Sequence, residues 1–221
     1  MATMTFYPDA GNPGTTSVDG RVYFVAGTPA SFTSIRNNAG TGLSATASNE
    51  IFAHLDGRNG TTNWQRLDRG ILNFDTSALP NDATITSAVL SIYSQGGEDY
   101  FSQSLGIVKN NNISNNQIVN ASYNIVNWDM TLQSDTMTVA NWLASTAYKD
   151  FTFNATGISN ISKTGVSKFG LVLSADYSNT DPGTHTANET YVVGASADGG
   201  SNIPKLVVNY TLPTNRFFLL F

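Results

Sequence analysis

The chain has 221 residues, a formal net charge of −5, only 12% charged residues, two histidines and no cysteine. This excludes disulfide frameworks, thiolate metal sites and cysteine nucleophiles, and it leaves neither a basic footprint for nucleic acid nor a patch for an anionic membrane. About a third of the residues are Asn, Ser or Thr set among β-branched and aromatic residues, which suits an exposed β protein and not a disordered one.

Strand-like runs recur along the whole chain. The opening MATMTFYPDAGNPG has neither a basic nor an apolar stretch of the signal-peptide kind, so no secretion signal is expected there. RVYFVA at 21–26 is the first strand candidate, followed by QRLDRGILNF at 65–74. In the second run Gly70, Leu72 and Phe74 share one side, and Arg69, Ile71 and Asn73 share the other. The polar segment from Asp75 to Pro80 makes a corner, where the lone Asp75 carboxylate is expected to bind turn amides. SAVLSIYS at 87–94 returns with Ala88, Leu90 and Ile92 on an apolar face and Ser87, Val89, Ser91 and Tyr93 on a mixed one.

The later runs are SLGIVKN at 104–110, DFTFNA at 150–155, KFGLVLSA at 168–175, TYVVGAS at 190–196 and PKLVVNYT at 204–211. Alternation places Phe151 with Phe153, Phe169 with Leu171 and Leu173, and Leu206 with Val208 and Tyr210 in the core. Two short helices are expected. In 138–146, Val139, Trp142 and Leu143 fall at i, i+3 and i+4, and 156–165 would run from Thr156 as N-cap to Gly165 as C-terminal stop. Eight or more strands without a long helical period predict an all-β fold, a two-sheet antiparallel β-sandwich of jelly-roll type. Residues 1–212 are expected to form this single domain, and 213–221 an apolar docking tail.

Catalytic motifs are missing. His54 and His185 stand in no metal-ligand spacing and are expected as exposed loop residues, and neither a GxSxG elbow nor a phosphate-binding loop occurs. The chain is therefore expected to be non-enzymatic. Trp64, Tyr100, Phe101, Tyr123 and Trp128 lie in or beside Asn- and Gly-rich segments, and aromatics flanked by amides suit a flat glycan site. Asp176, Asp181 and Glu189 border the long loop 176–189, where they could gather with turn carbonyls around a structural calcium ion. No other cofactor is expected. Phe217, Phe218, Leu219, Leu220 and Phe221 follow Pro213, which stops a strand ladder; two homes are open to them, a groove on their own sandwich or a neighbouring subunit of a homo-oligomer or particle, and the second, an assembly hook, is the one expected. That run is far too short to cross a membrane. Seven Asn-x-Ser/Thr sequons occur, at Asn59, Asn112, Asn120, Asn154, Asn160, Asn188 and Asn209, as expected by chance in a chain this rich in those residues.

FYPDAGNPGTTSVDG, RGILNFDTSALPNDATITSAVLSIYS, KDFTFNATGISNISKTGVSKFGLVLS and SNIPKLVVNY, in that order, resemble the β-sandwich domains called DNRLRE or disaggregatase-related. The opening and ISKTGVSKFGL also look like uncharacterised bacteriophage and environmental viral proteins. The resemblance implies a β-sandwich. As a function it implies a virion-associated structural protein, such as a capsid decoration, head fibre or tail component. Its partners would be other virion proteins and copies of itself, with host-surface polysaccharide as a further contact. Related sandwiches also serve as carbohydrate-binding modules, so the alternative is such a module of a secreted bacterial protein in an extracellular setting.

Overall fold

A computed structural model describes residues 1–57, 63–112, 114–183 and 188–213. Its strands are β1 (Ala2–Phe6), β2 (Asp19–Ala30), β3 (Gly42–Ser44), β4 (Ile51–Gly57), β5 (Trp64–Asp75), β6 (Thr84–Asp99), β7 (Ser104–Asn110), β8 (Trp128–Asp129), β9 (Met137–Thr138), β10 (Tyr148–Thr152), β11 (Val166–Leu173), β12 (Glu189–Gly194) and β13 (Lys205–Thr211). Four short helices join them: α1 (Phe32–Asn37), α2 (Val139–Leu143), α3 (Ala155–Ser159) and α4 (Ser174–Ser178). The fold is an all-β sandwich with antiparallel pairing throughout these strands. No helix of the described residues is long and apolar enough to cross a membrane.

Two long strands organise the sheets. The first half of β6 pairs with β13 on one edge and β10 on the other, and β13 continues to β1. Its second half pairs with β12 instead, so one strand passes from the smaller sheet into the larger. Gly96 and Gly97 occupy that passage at φ +118° and +146°, where L side chains are strained, and a Cβ on Gly97 would lie 2.1 Å from the Tyr191 carbonyl oxygen. β5 divides similarly. β2 runs along one edge, while β4 takes the first half of the other edge and β11 the second half. Every residue of β5 from Leu67 to Phe74 is buried, so both faces of the strand are covered there.

Parity places the core of the smaller sheet as expected. Phe6, Leu206, Leu90 and Phe151 form one cross-strand rung over β1, β13, β6 and β10, and all four are buried. Each side chain of this size stabilises the fold by roughly 1.5–3 kcal/mol on full burial. Phe153 meets Phe169 edge-on, with ring centroids 4.8 Å apart. Ser91, on the mixed face of β6, is also buried, because it is flanked by Lys205 on β13 and Asp150 on β10.

The helices are set by their caps. Thr138 caps α2 through the Asn141 amide, and Trp142 is buried there with its indole N–H donated to the Gly96 carbonyl. The second expected helix starts earlier and ends sooner than its spacing suggested. Asn154, not Thr156, accepts the Gly157 amide, and Gly165 instead turns the chain, its carbonyl receiving Thr76. α1 was not foreseen. Ser31 caps it, and Phe32, Ile35 and Arg36 are its buried face.

Arg69, in the centre of β5, is wholly buried. Its guanidinium donates to both oxygens of Asp176 at 2.6 and 2.9 Å and to the carbonyls of Arg36 and Tyr123, and it lies 4.3 Å from the Tyr123 ring centre. Arg36 approaches the same Asp176 carboxylate at 3.1 Å. One carboxylate between two arginines thus ties α1 and α4 to the sheet.

A polar cleft on the sheet face

Side chains on one face of five neighbouring strands form a polar surface. The register aligns Tyr23 of β2, Asp68 of β5, His54 of β4, Tyr191 of β12 and Glu98 of β6 in one rung. Arg21 and Phe52 stand on one side of this rung, and Arg66 and Glu189 on the other. Arg21, Phe52, His54, Arg66, Glu189 and Tyr191 line a cleft of about 290 Å³.

Asp68 is its buried keystone, with a fully covered side chain. Arg66 donates to it bidentately at 2.6 and 2.8 Å, and Arg21 Nη1 lies 3.4 Å away. Burial pushes the Asp68 carboxyl up from its ordinary value, and Arg66 and Arg21 pull it back only in part. His54 Nε2 and Glu189 Oε2 are 2.7 Å apart. Burial and the Arg66 charge push His54 down to about 4, so near neutral pH a neutral imidazole donates its Nε2–H to Glu189.

Arg21 is bound differently from Arg66. Its guanidinium stacks on Phe52 at 3.9 Å and reaches Asp68 and Glu50 only at 3.4 and 3.5 Å. Its Nε makes no hydrogen bond within the described residues. The cleft therefore combines a cation stacked on Phe52, an acceptor on the partly exposed Glu189 and the ring of Tyr191. Two other polar clefts, of about 350 and 400 Å³, are lined mainly by Asn, Thr and Ser. Their lysines, Lys109 and Lys168, already donate to Asn160 and to the Asn112 carbonyl.

The aromatic residues expected to face a ligand are largely elsewhere. Trp64 is completely buried, donates its indole N–H to Asp181 and meets Phe32 and Phe101 edge-on, because the start of β5 runs beneath α1. Tyr123 is completely buried under Arg69 and donates its hydroxyl to the Ile35 carbonyl. Trp128 is buried against Gly170, where a Cβ would come within 2.3 Å of its ring, and it donates to the Ser122 carbonyl. These three are core residues. Phe101 is half-buried between Trp64 and Tyr100, and Tyr100 alone of the five is substantially exposed.

The three acids expected to share calcium do not converge either. Asp176 answers Arg69 and Arg36, Asp181 accepts from Trp64 and the Gly183 amide, and Glu189 holds His54. His54 is buried on a strand, not exposed on a loop, because β4 is an interior strand of the larger sheet. His185 and the hook Phe217–Phe221 lie outside the described residues. Asp75 binds a turn amide, accepting from Ser77.

Of the cleft residues, Arg21, Phe52, Arg66, Asp68 and Tyr191 carry no motif in the sequence, and His54 reads there only as a loop residue. Their one signal was IFAHLDG at 51–57, where Phe, His and Asp alternate with Ile, Ala and Leu, charge-bearing on one side and apolar on the other. No family model matches this chain, and no curated protein matches it.

Proposed function

We propose that this protein is a non-enzymatic, glycan-adhesive β-sandwich carried on a virion surface, and that the Arg21–Glu189 cleft is its sugar contact. The observation that carries the reading is the Arg21 guanidinium stacked on Phe52 at 3.9 Å in one cleft with the partly exposed Glu189 carboxylate and the Tyr191 ring. Sugars present hydroxyls that need donors and acceptors together with apolar faces that rest on rings, and the cleft supplies both. The resemblance to phage and environmental viral sandwiches supports the virion setting. A composition rich in Asn, Ser and Thr and poor in charge suits an exposed β-sandwich.

The adhesion test is retardation of the purified chain in gels containing neutral or acidic polysaccharides, with Arg21→Gln and Tyr191→Ala compared at equal folded fraction. Retardation by at least one polysaccharide, lost in both variants, is the expected result. Equal mobility of all three proteins across the panel overturns the reading of the cleft. Mass spectrometry of purified particles tests the setting, and finding the protein solely in a secreted soluble fraction would replace the virion by the secreted-module alternative.

A further inference from the structure

Three loops meet beside the start of β2: residues 7–18, 45–50 and 195–204. The Ala197 amide donates to Asp19 Oδ2 at 2.9 Å, the Gly11 amide donates to Asp198 Oδ1 at 2.9 Å, and the Ser196 amide donates to the Ser48 carbonyl at 3.1 Å. Asp19 is completely buried. Its second oxygen, Oδ1, has no hydrogen-bond partner, and the same is true of the buried Oδ2 of Asp198. Neither residue joins a salt bridge among the described residues. The side-chain charges that act most on Asp19 are those of Asp198 and Glu50, both negative.

Asp9, in the same loop cluster, shows how a carboxylate is satisfied by protein alone. Its Oδ2 accepts the Thr16 and Ser17 amides and the Thr16 hydroxyl. Asp19 and Asp198 lack such donors on one oxygen each, and a buried carboxylate oxygen without donor or cation is strongly unfavourable. We propose that Asp19 and Asp198 are the carboxylate ligands of a divalent-cation site of the calcium type at this junction. Oxygen-only donors without His or Cys select a hard cation. No three acidic or histidine side chains of the described residues are grouped to hold an ion, so backbone carbonyls and water complete the shell, which calcium accepts. The ion would pin the three loops together. Glu50, whose Oε2 also lacks a hydrogen bond, lies between this junction and Arg21 of the cleft.

The test uses the full chain stripped with a chelator, melted in calcium, in magnesium and in sodium chloride of matched ionic strength, and titrated with calcium by calorimetry. With an affinity in the range of extracellular calcium modules, ~10 mM calcium raises the melting temperature by roughly 3–6 °C. Asp19→Asn and Asp198→Asn are expected to abolish both the shift and the calorimetric heat. Should Asp19→Asn fail to fold, the less buried Asp198→Asn carries the comparison. Identical melting of the wild-type chain in all three salts overturns the proposal, and so does a calcium response that survives in both variants.

Discussion

Replacing Asp176 by Ala tests whether the buried arginine pair is a structural clamp. The substitution removes the two carboxylate acceptors of Arg69, at 2.6 and 2.9 Å, one of which also lies 3.1 Å from Arg36, while the carbonyls of Arg36 and Tyr123 still receive Arg69. Two charge-assisted hydrogen bonds are lost, each worth about 1.5–3 kcal/mol. A fully buried guanidinium is also left without its counter-charge, and breaking such a pair from one side typically costs about 3–5 kcal/mol. The expected loss for Asp176→Ala is therefore about 3–5 kcal/mol, read from urea unfolding as a lower midpoint at unchanged slope. Arg69→Met restores an apolar side chain of similar length. Combined with Asp176→Leu, it should lose clearly less than the sum of the two single changes, giving a coupling above about 1 kcal/mol in a double-mutant cycle. A loss below about 1 kcal/mol for Asp176→Ala, or strict additivity in the cycle, would refute the clamp.

Two further outcomes follow from burial. Trp64→Ala should destabilise the fold by roughly 3–5 kcal/mol, since the ring fills the space between Phe32 and Phe101, and thermal melting checks it. An unchanged melting temperature together with lost polysaccharide retardation would return Trp64 to the binding surface. His54 gives the pH dependence. It faces Glu189 and Tyr191 from β12, Asp68 and Arg66 from β5, and Arg21 from β2, and its folded pKa of about 4 lies below the unfolded value. As pH falls below about 6.5, the unfolded chain takes up a proton that the folded state refuses. The contribution of His54 to stability should thus decline between about pH 6.5 and 4, by on the order of 3 kcal/mol, and level off below, and it is read as the difference between the wild-type chain and His54→Gln. His54→Gln should remove that contribution and change the slope of the stability–pH curve between about pH 4 and 6.5, and an unaltered slope would show that the histidine does not titrate this way.

The core strands were legible because their pattern has period two and their burial is local. β7 matches its expected bounds, and Leu90, Phe151 and Leu206 lie inside as their alternation required. β4 was missed although it alternates equally well, since its outward residues are charged or aromatic and resemble a loop when no neighbour is known. The polar cleft failed to appear for a related reason. Arg21, His54, Arg66 and Glu189 come from four strands, and only the register of β2, β5, β4 and β12 brings them to one place.

The aromatic residues mark the division most clearly. Composition and alternation alone determined an all-β sandwich, because apolar periodicity and turn residues act over a few positions of chain. They could not determine which side of the sheet Trp64, Tyr123 and Trp128 would face, because that depends on α1, α4 and the Asn-rich segment folding back over β5. Burial on a second face is a property of what covers it. The same holds for Asp176, which reads as a loop acid in the sequence and becomes the counter-charge of Arg69 across 107 positions. A carboxylate is solvated, paired or metal-bound according to which distant donors reach it, and only the tertiary structure brings those donors within hydrogen-bonding distance.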